Sequence, residues 1–227
     1  MNSSSSETFA RKHCVFIVDD HPLVREGLTN LINRQSDLIV CGEAKDSAEA
    51  IDGIAKERPD VAIIDISLTN ESGLELIKHL VRQFPQVALI VLSMHDEALY
   101  AERALRAGAR GYVMKHEMSK NVLASIRRVL GGEVYVSERI VNRMALRLAS
   151  SGQKAARSPV ERLSDRELEI FRLLGQGRTP SEIAGDLNLS LKTVQAYCAR
   201  AKDKFGVTSL TEVLRAALRW EEASHVK

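Results

Sequence analysis

Five short apolar runs, each followed by an amphipathic segment, constrain the first half of this chain more than any other feature. The runs lie at 14–18 (CVFIV), 38–41 (LIVC), 61–66 (VAIIDI), 87–92 (VALIVL) and 109–114 (ARGYVM). Each has strand length and is nearly continuous in apolar character, as strands are when both sheet faces are covered. The segments at 22–34, 47–57, 73–83, 96–107 and 119–130 carry apolar residues at helical spacing. In the first, Leu23, Leu28, Leu31 and Ile32 are expected to form one apolar face; in the last, Val122, Leu123, Ile126, Val129 and Leu130 do so. Five such units in series predict an α/β unit, a doubly wound, five-stranded parallel sheet between helices.

After Gly131-Gly132 the pattern changes. Residues 137–150 predict a helix with Ile140, Val141, Met144, Leu146 and Leu148 apolar, and 150–159 read as a flexible linker. From Ser164 onward the chain is helical, about four short helices with tight connections. Ser164–Glu167, Thr179–Glu182 and Ser209–Glu212 each have the S/T-x-x-E form of a capping box. Pro180 sits at the favoured first position of its helix, and Gly175 and Gly177 close the preceding one. The expected division is a disordered tail at 1–11, an α/β domain at 12–132, a linker with a helix at 133–160, and an all-α domain at 161–227.

With 227 residues there is room for two domains, and 44% hydrophobic and 27% charged residues is an ordinary globular balance. No run approaches the length of a membrane span, so no membrane partner is expected. The Ser-rich start lacks the apolar core of a secretory signal. Cys14, Cys41 and Cys198 match no metal-ligand spacing and fit reduced thiols in a cytoplasm; Cys198 is expected to be a small buried hydrophobe.

Asp19 and Asp20 end the first strand, Asp65 stands near the end of the third, Ser93 follows the fourth and Lys115 follows the fifth. In an open parallel sheet these ends converge on one crevice. Three clustered carboxylates repel one another unless a cation offsets them. Their oxygens suit Mg²⁺. A carboxylate kept ionised can attack a phosphoryl group, and a lysine and a hydroxyl can stabilise the phosphoryl oxygens. Singly, each residue also has a plain role as a helix cap, a loop residue or a solvated charge. His21, His95 and His116 have no partner pattern and are taken as loop residues. A phosphohydrolase with a D-x-D nucleophile is a rival, but Ser67 stands where the second acid belongs.

The residues VDD at 18–20, Asp65, Ser93 and Lys115, with the GLEL run at 73–76 and GARGYVMK at 108–115, resemble the receiver domain of response regulators over about residues 12–132. The resemblance implies a flavodoxin-like fold with Asp65 as phosphoacceptor. It implies Mg²⁺ bound directly by Asp20, Asp65 and the Ser67 backbone carbonyl, with Asp19 acting through water. Lys115 would contact the phosphoryl group, Ser93 would swing toward it, and Tyr112 would change its exposure in concert. Such a receiver is no enzyme on outside substrates; it catalyses only its own phosphorylation and dephosphorylation. Thr69 stands where the family commonly has proline, and Met94 where a smaller residue is frequent. Ser67 and His95 occupy positions that tune dephosphorylation in the family.

In the second half, a helix from Pro180 to Asp186 buries Ile183, Ala184 and Leu187, and a longer one follows Ser190. Its stripe of Val194, Cys198, Ala201 and Phe205 must face inward. The opposite face carries Lys192, Gln195, Ala196, Ala199, Lys202 and Asp203, with Arg200 alongside, a set that suits major-groove recognition. The runs LSDRELEIFRLLGQG, SEIAGDLNLS, TVQAY and KFGV resemble the LuxR-type helix-turn-helix domain, over about 160–220, and with the receiver they resemble the NarL/FixJ subfamily. That implies contacts to double-stranded DNA from Lys192, Gln195, Ala196 and Ala199, with Arg200 and Lys202 near the backbone. It also implies a four-helix output domain, a sensor histidine kinase or small phosphodonor as partner, a homodimer on activation and a cytoplasmic location. Residues 164–227 carry ten Lys and Arg against nine Asp and Glu, so affinity is expected to need dimerisation. A helical protein-interaction module and a phosphorylation-independent regulator are the alternatives. Phosphorylation would either free the recognition helix from the receiver or favour a dimer.

Overall fold

The computed structural model describes residues 11–68, 73–149 and 158–225. Thr69, the N-terminal tail up to residue 10 and most of the linker at 150–157 lie outside them.

The strands are β1 (His13–Val18), β2 (Leu38–Ala44), β3 (Val61–Asp65), β4 (Ala88–Ser93) and β5 (Gly111–Met114). They form one parallel sheet in the order β2-β1-β3-β4-β5. The helices between them are α1 (Pro22–Asn33), α2 (Ser47–Glu57), α3 (Gly73–Gln83), α4 (Glu97–Ala107) and α5 (Met118–Leu130). Alternate strand residues feed two cores. Val15, Ile17, Ile63 and Ile90 pack with Leu28, Ile32 and Ile126 on one face, and Phe16, Val18, Ile64 and Val91 pack with Ile54, Ile77 and Leu80 on the other. Burial on both faces explains the unbroken apolar runs. The order of β1 and β3 beside each other marks the point where the chain reverses its winding, and the crevice opens beyond their carboxyl ends.

Two sequence expectations need correction. Leu23 is 82% exposed rather than on the apolar face of α1. Five residues place it about 140° from Leu28 around a 3.6-residue helix, and Val24 takes its place against the core. In α6 (Glu138–Ala149) only Ile140 is buried, while Val141, Leu146 and Leu148 are exposed.

The chain entering α6 is tied to the sheet. Tyr135 forms a bridge beside Gly111, and its carbonyl accepts from the Tyr112 amide at 2.8 Å. The second unit comprises α7 (Pro159–Arg162), α8 (Asp165–Gly175), α9 (Pro180–Asp186), α10 (Leu191–Phe205) and α11 (Leu210–His225). Ser164 and Thr179 make capping boxes with Glu167 and Glu182. Ser209 and Glu212 exchange the same pair of bonds, at 3.3 and 3.1 Å. A side chain at Gly175 would place Cβ 2.7 Å from the Ala217 carbonyl, so glycine is what lets α8 and α11 approach. Phe171 stacks on Phe205 and tilts against Trp220 to fill the centre.

α8 lies against α3 and α4 of the first unit through charges. Asp165 accepts from Lys78 at 2.8 Å and from Arg103 at 3.0 Å. Arg103 also reaches the carbonyls of Val160 and Glu161. Arg143 and Arg147 of α6 pair with Glu161, and Arg147 pairs with Glu102. A cleft of about 340 Å³ runs between these elements.

Candidate functional site

Asp65 is the last residue of β3, and a close approach holds the junction between this strand and α3. The Gly73 amide donates to the Ile66 carbonyl at 3.2 Å. A Cβ at Gly73 would lie 2.6 Å from both the Asp65 carbonyl oxygen and Ile66 Cα. Glycine here lets the start of α3 sit directly on the end of β3, which turns the Asp65 side chain into the crevice.

Three of the predicted groups meet there with Lys115. The Lys115 ammonium lies 2.7 Å from Asp19 Oδ2 and 2.8 Å from Asp65 Oδ2. The Ser67 amide donates to Asp65 Oδ1 at 2.9 Å. The His21 amide donates to Asp19 Oδ1 at the same distance. Arg25 fixes the end of β1 by donating to the Asp19 carbonyl at 2.7 Å while pairing with Glu43. Asp20 joins from the next position, with its Oδ1 2.7 Å from His21 Nδ1.

Charge decides what such a pocket can hold. Burial raises the Asp65 carboxyl above its usual range, and Lys115 offsets only part of that. Burial works against the Lys115 charge too, yet Asp65 and Asp19 raise it and keep the ammonium protonated. Three carboxylates therefore face one lysine. One ligand atom each from Asp19, Asp20, His21 and Asp65 lie within 4.8 Å of one another. Hard oxygen donors with uncompensated negative charge suit a divalent cation such as Mg²⁺, so the donor set fits the ion that the sequence implied. His21, set aside as a loop residue, is the one member of the cluster that the sequence reading missed. Its place beside the acidic pair follows simply from being the next residue.

Ser93 and Tyr112 are buried, and their hydrogen bonds run to the His95 backbone. The Ser93 hydroxyl accepts from the His95 amide at 2.9 Å, and the Tyr112 hydroxyl donates to the His95 carbonyl at 2.9 Å. Desolvation pushes the Tyr112 phenol far up, so it stays protonated and a donor. His95 itself, also set aside as a loop residue, has Nε2 2.7 Å from the Ser67 hydroxyl and contacts Arg172 of α8.

The second candidate surface is α10. Ser190 caps it by accepting from the Thr193 amide at 3.1 Å, and Gly206 ends it at φ +68°. Val194, Cys198 and Ala201 are buried beneath it. Lys192, Gln195, Ala196, Ala199 and Arg200 are exposed on the other side, and Lys202 is half-buried. Arg200 lies over the Tyr197 ring at 4.4 Å, held by a bond to the Ala196 carbonyl. Lys204 is consumed by Glu167 and Arg166 by Glu169. Among the described residues no ion pair engages Lys192, Arg200 or Lys202, so the exposed face keeps its positive charge. This face is exposed with both units present; the units meet at α7 and α8.

Comparison with known proteins gives two family matches. Residues 15–127 match the response regulator receiver domain, and residues 161–217 match the bacterial regulatory proteins of the luxR family. The oxygen regulatory protein NreC of Staphylococcus aureus is 35% identical over 209 residues, covering 90% of this chain and 96% of that protein. Among solved structures, RcsB from Salmonella enterica serovar Typhimurium, bound to a promoter with the phosphomimetic BeF3-, is 29% identical. It covers 91% of this chain and 100% of that one, with a TM-score of 0.66. Another Salmonella typhimurium RcsB structure reaches a TM-score of 0.71 at 27% identity, covering 92% and 98%. No helix among the described residues is long and apolar enough to cross a membrane.

Proposed function

Because this chain belongs to the response regulators that join a receiver domain to a luxR-family DNA-binding domain, we propose that it is a transcription regulator switched by phosphorylation of Asp65. The observation that carries this reading is the buried Asp65 carboxylate, ion-paired with Lys115 inside the acidic cluster at the sheet's switch point. The working division is a receiver at 12–132 and an output domain at 161–227, joined by 133–160.

The phosphoryl group comes from a sensor histidine kinase or a small phosphodonor. Asp65 attacks with the carboxylate that Lys115 holds ionised and oriented. Lys115, already 2.8 Å from Asp65 Oδ2, then shifts its ammonium onto the new phosphoryl oxygens. Asp20, Asp65, the Ser67 carbonyl and Asp19 would hold Mg²⁺, and the ion would supply charge neutralisation of the acidic cluster and the phosphoryl oxygens. Ser93 turns its hydroxyl toward the phosphoryl group and so leaves the His95 amide. The Tyr112 bond to the His95 carbonyl is strained by the same movement, which carries the change to the α4 surface.

The output unit reads double-stranded DNA through Lys192, Gln195, Ala196 and Ala199, with Arg200 and Lys202 at the phosphates. RcsB, bound to its promoter in the structure of similar fold, supports that partner. Since α10 is uncovered in the docked arrangement, activation works by favouring a dimer on paired half-sites rather than by exposing the recognition helix. The test is phosphorylation by acetyl phosphate with Mg²⁺, followed by footprinting. Wild type is expected to gain a phosphoryl group that hydroxylamine removes and tighter DNA binding, and D65N to gain neither. Normal labelling of D65N removes Asp65 as the acceptor.

A further inference from the structure

His95 joins four groups that belong to different parts of the switch. Its amide binds the Ser93 hydroxyl, its carbonyl the Tyr112 hydroxyl, and its Nε2 the Ser67 hydroxyl beside Asp65. The fourth group comes from the output unit, where the Arg172 guanidinium of α8 lies against the same Nε2. An imidazole nitrogen has one lone pair, so Ser67 and Arg172 cannot both donate to it. Arg172 has no lone pair to accept with, so the docked arrangement requires Nε2 to be the acceptor. Ser67 Oγ stays 2.7 Å from that nitrogen with Arg172 in place, so the two donors compete for it.

The same contact closes a space. A cavity of about 30 Å³, room for about one water, is bounded by Ser67 and Leu68 on the receiver side and by Glu169 and Arg172 on the output side, with His95 and Tyr100 as its wall. Tyr100 packs against the His95 ring, with centroids 5.0 Å apart. Arg172 Nε is buried there without an acceptor among the described residues.

We propose that Arg172 is a positioning residue for the phosphoryl site, lent by the output unit, which holds His95 against Ser67 beside Asp65 and prolongs the acyl phosphate while the units are docked. This rests on Asp65 being the acceptor. In the reaction it restrains, a water oxygen attacks phosphorus and the bond from phosphorus to the Asp65 oxygen breaks. Asp65 leaves as carboxylate, and inorganic phosphate and a proton are released. Attack must come roughly in line with the breaking bond. Ser67 borders Asp65, its amide on Asp65 Oδ1 at 2.9 Å, and His95 borders Ser67 at 2.7 Å, so the placing of His95 bears on how water reaches the site. An output unit that undocks takes Arg172 away and leaves His95 free to move off Ser67. The lifetime of the signal then depends on where the output unit sits.

The experiment uses the full chain, phosphorylated with acetyl phosphate and Mg²⁺ and then freed of donor. Loss of the acyl phosphate is followed on a phosphate-affinity gel for wild type, R172A, H95A, R172A/H95A and D65N. R172A is expected to shorten the lifetime at least about fivefold, and to add nothing in the H95A background. R172M, which keeps the apolar stem, serves if R172A does not fold. An unchanged lifetime in R172A overturns the proposal, and so does an equal acceleration with His95 already removed. Absence of label on wild type, or label persisting on D65N, strikes instead at Asp65 as acceptor.

Discussion

Two opposed demands meet on single side chains. Asp65 must be buried enough to exclude water yet remain ionised, and burial alone pushes its carboxyl up. Gly73 makes that position possible, because any side chain there collides with the Asp65 carbonyl. G73A is expected to shift the junction of β3 and α3, destabilise the receiver by about 1–3 kcal/mol and slow phosphorylation at fixed Mg²⁺, as measured by urea unfolding and acetyl phosphate labelling. Glu167 is the counterpart in the output unit. Burial alone would raise its carboxyl, but Lys204 and the Ser164 amide hold it below its ordinary 4.5. A carboxyl lowered in the folded state stabilises above its unfolded value, and that contribution disappears as pH falls through the folded one. E167Q is therefore expected to lower stability by about 1 kcal/mol at pH 7. The difference from wild type should vanish on acidification below the ordinary carboxylate range. A difference that persists in thermal melts at low pH would contradict this assignment.

Among the elements, α10 separates folding from recognition by face. Its buried stripe of Val194, Cys198 and Ala201 holds it to the bundle, while Lys192, Arg200 and Lys202 make no ion pair among the described residues. Substitutions on the outer face should leave the melting temperature alone. K192A/Q195A is expected to abolish specific operator binding in gel shifts with folding intact. K192A alone should weaken binding to all sequences and reduce the salt slope by about 1. A selective loss at one base position would instead make Lys192 a base-reading residue.

Across the whole molecule, the two units meet through ion pairs such as those of Asp165 and through one continuous set of buried apolar residues, and boundaries between domains of one chain commonly permit relative motion. Each partly exposed ion pair contributes no more than about 1 kcal/mol. Asp165 receives both Lys78 and Arg103. D165N is expected to loosen the interface and increase the radius of gyration in X-ray scattering. A scattering profile for D165N identical to wild type, at low and high salt, would mean that other contacts hold the units together.

Local chemistry was legible in the amino-acid order: five apolar runs, the three capping boxes, Asp65, Lys115 and the acidic pair at strand ends. These follow from periodicities and spacings that act within a few residues, and the limits of α2 and α3 fell where they were expected. The error at Leu23 arose from judging an apolar face by composition rather than by angle. The roles of His21, His95 and Arg172 were not legible, since His95 and Arg172 are 77 positions apart. Nothing in the order of residues brings α8 to His95. Only packing of one unit on the other does so, through pairs such as Lys78 with Asp165 whose members carry no mark of each other. The strand pattern could specify a pocket, because a parallel sheet must gather its ends. Which helix of the second unit would lie against His95 was decided by contacts that form only in three dimensions, ion pairs and buried apolar side chains together.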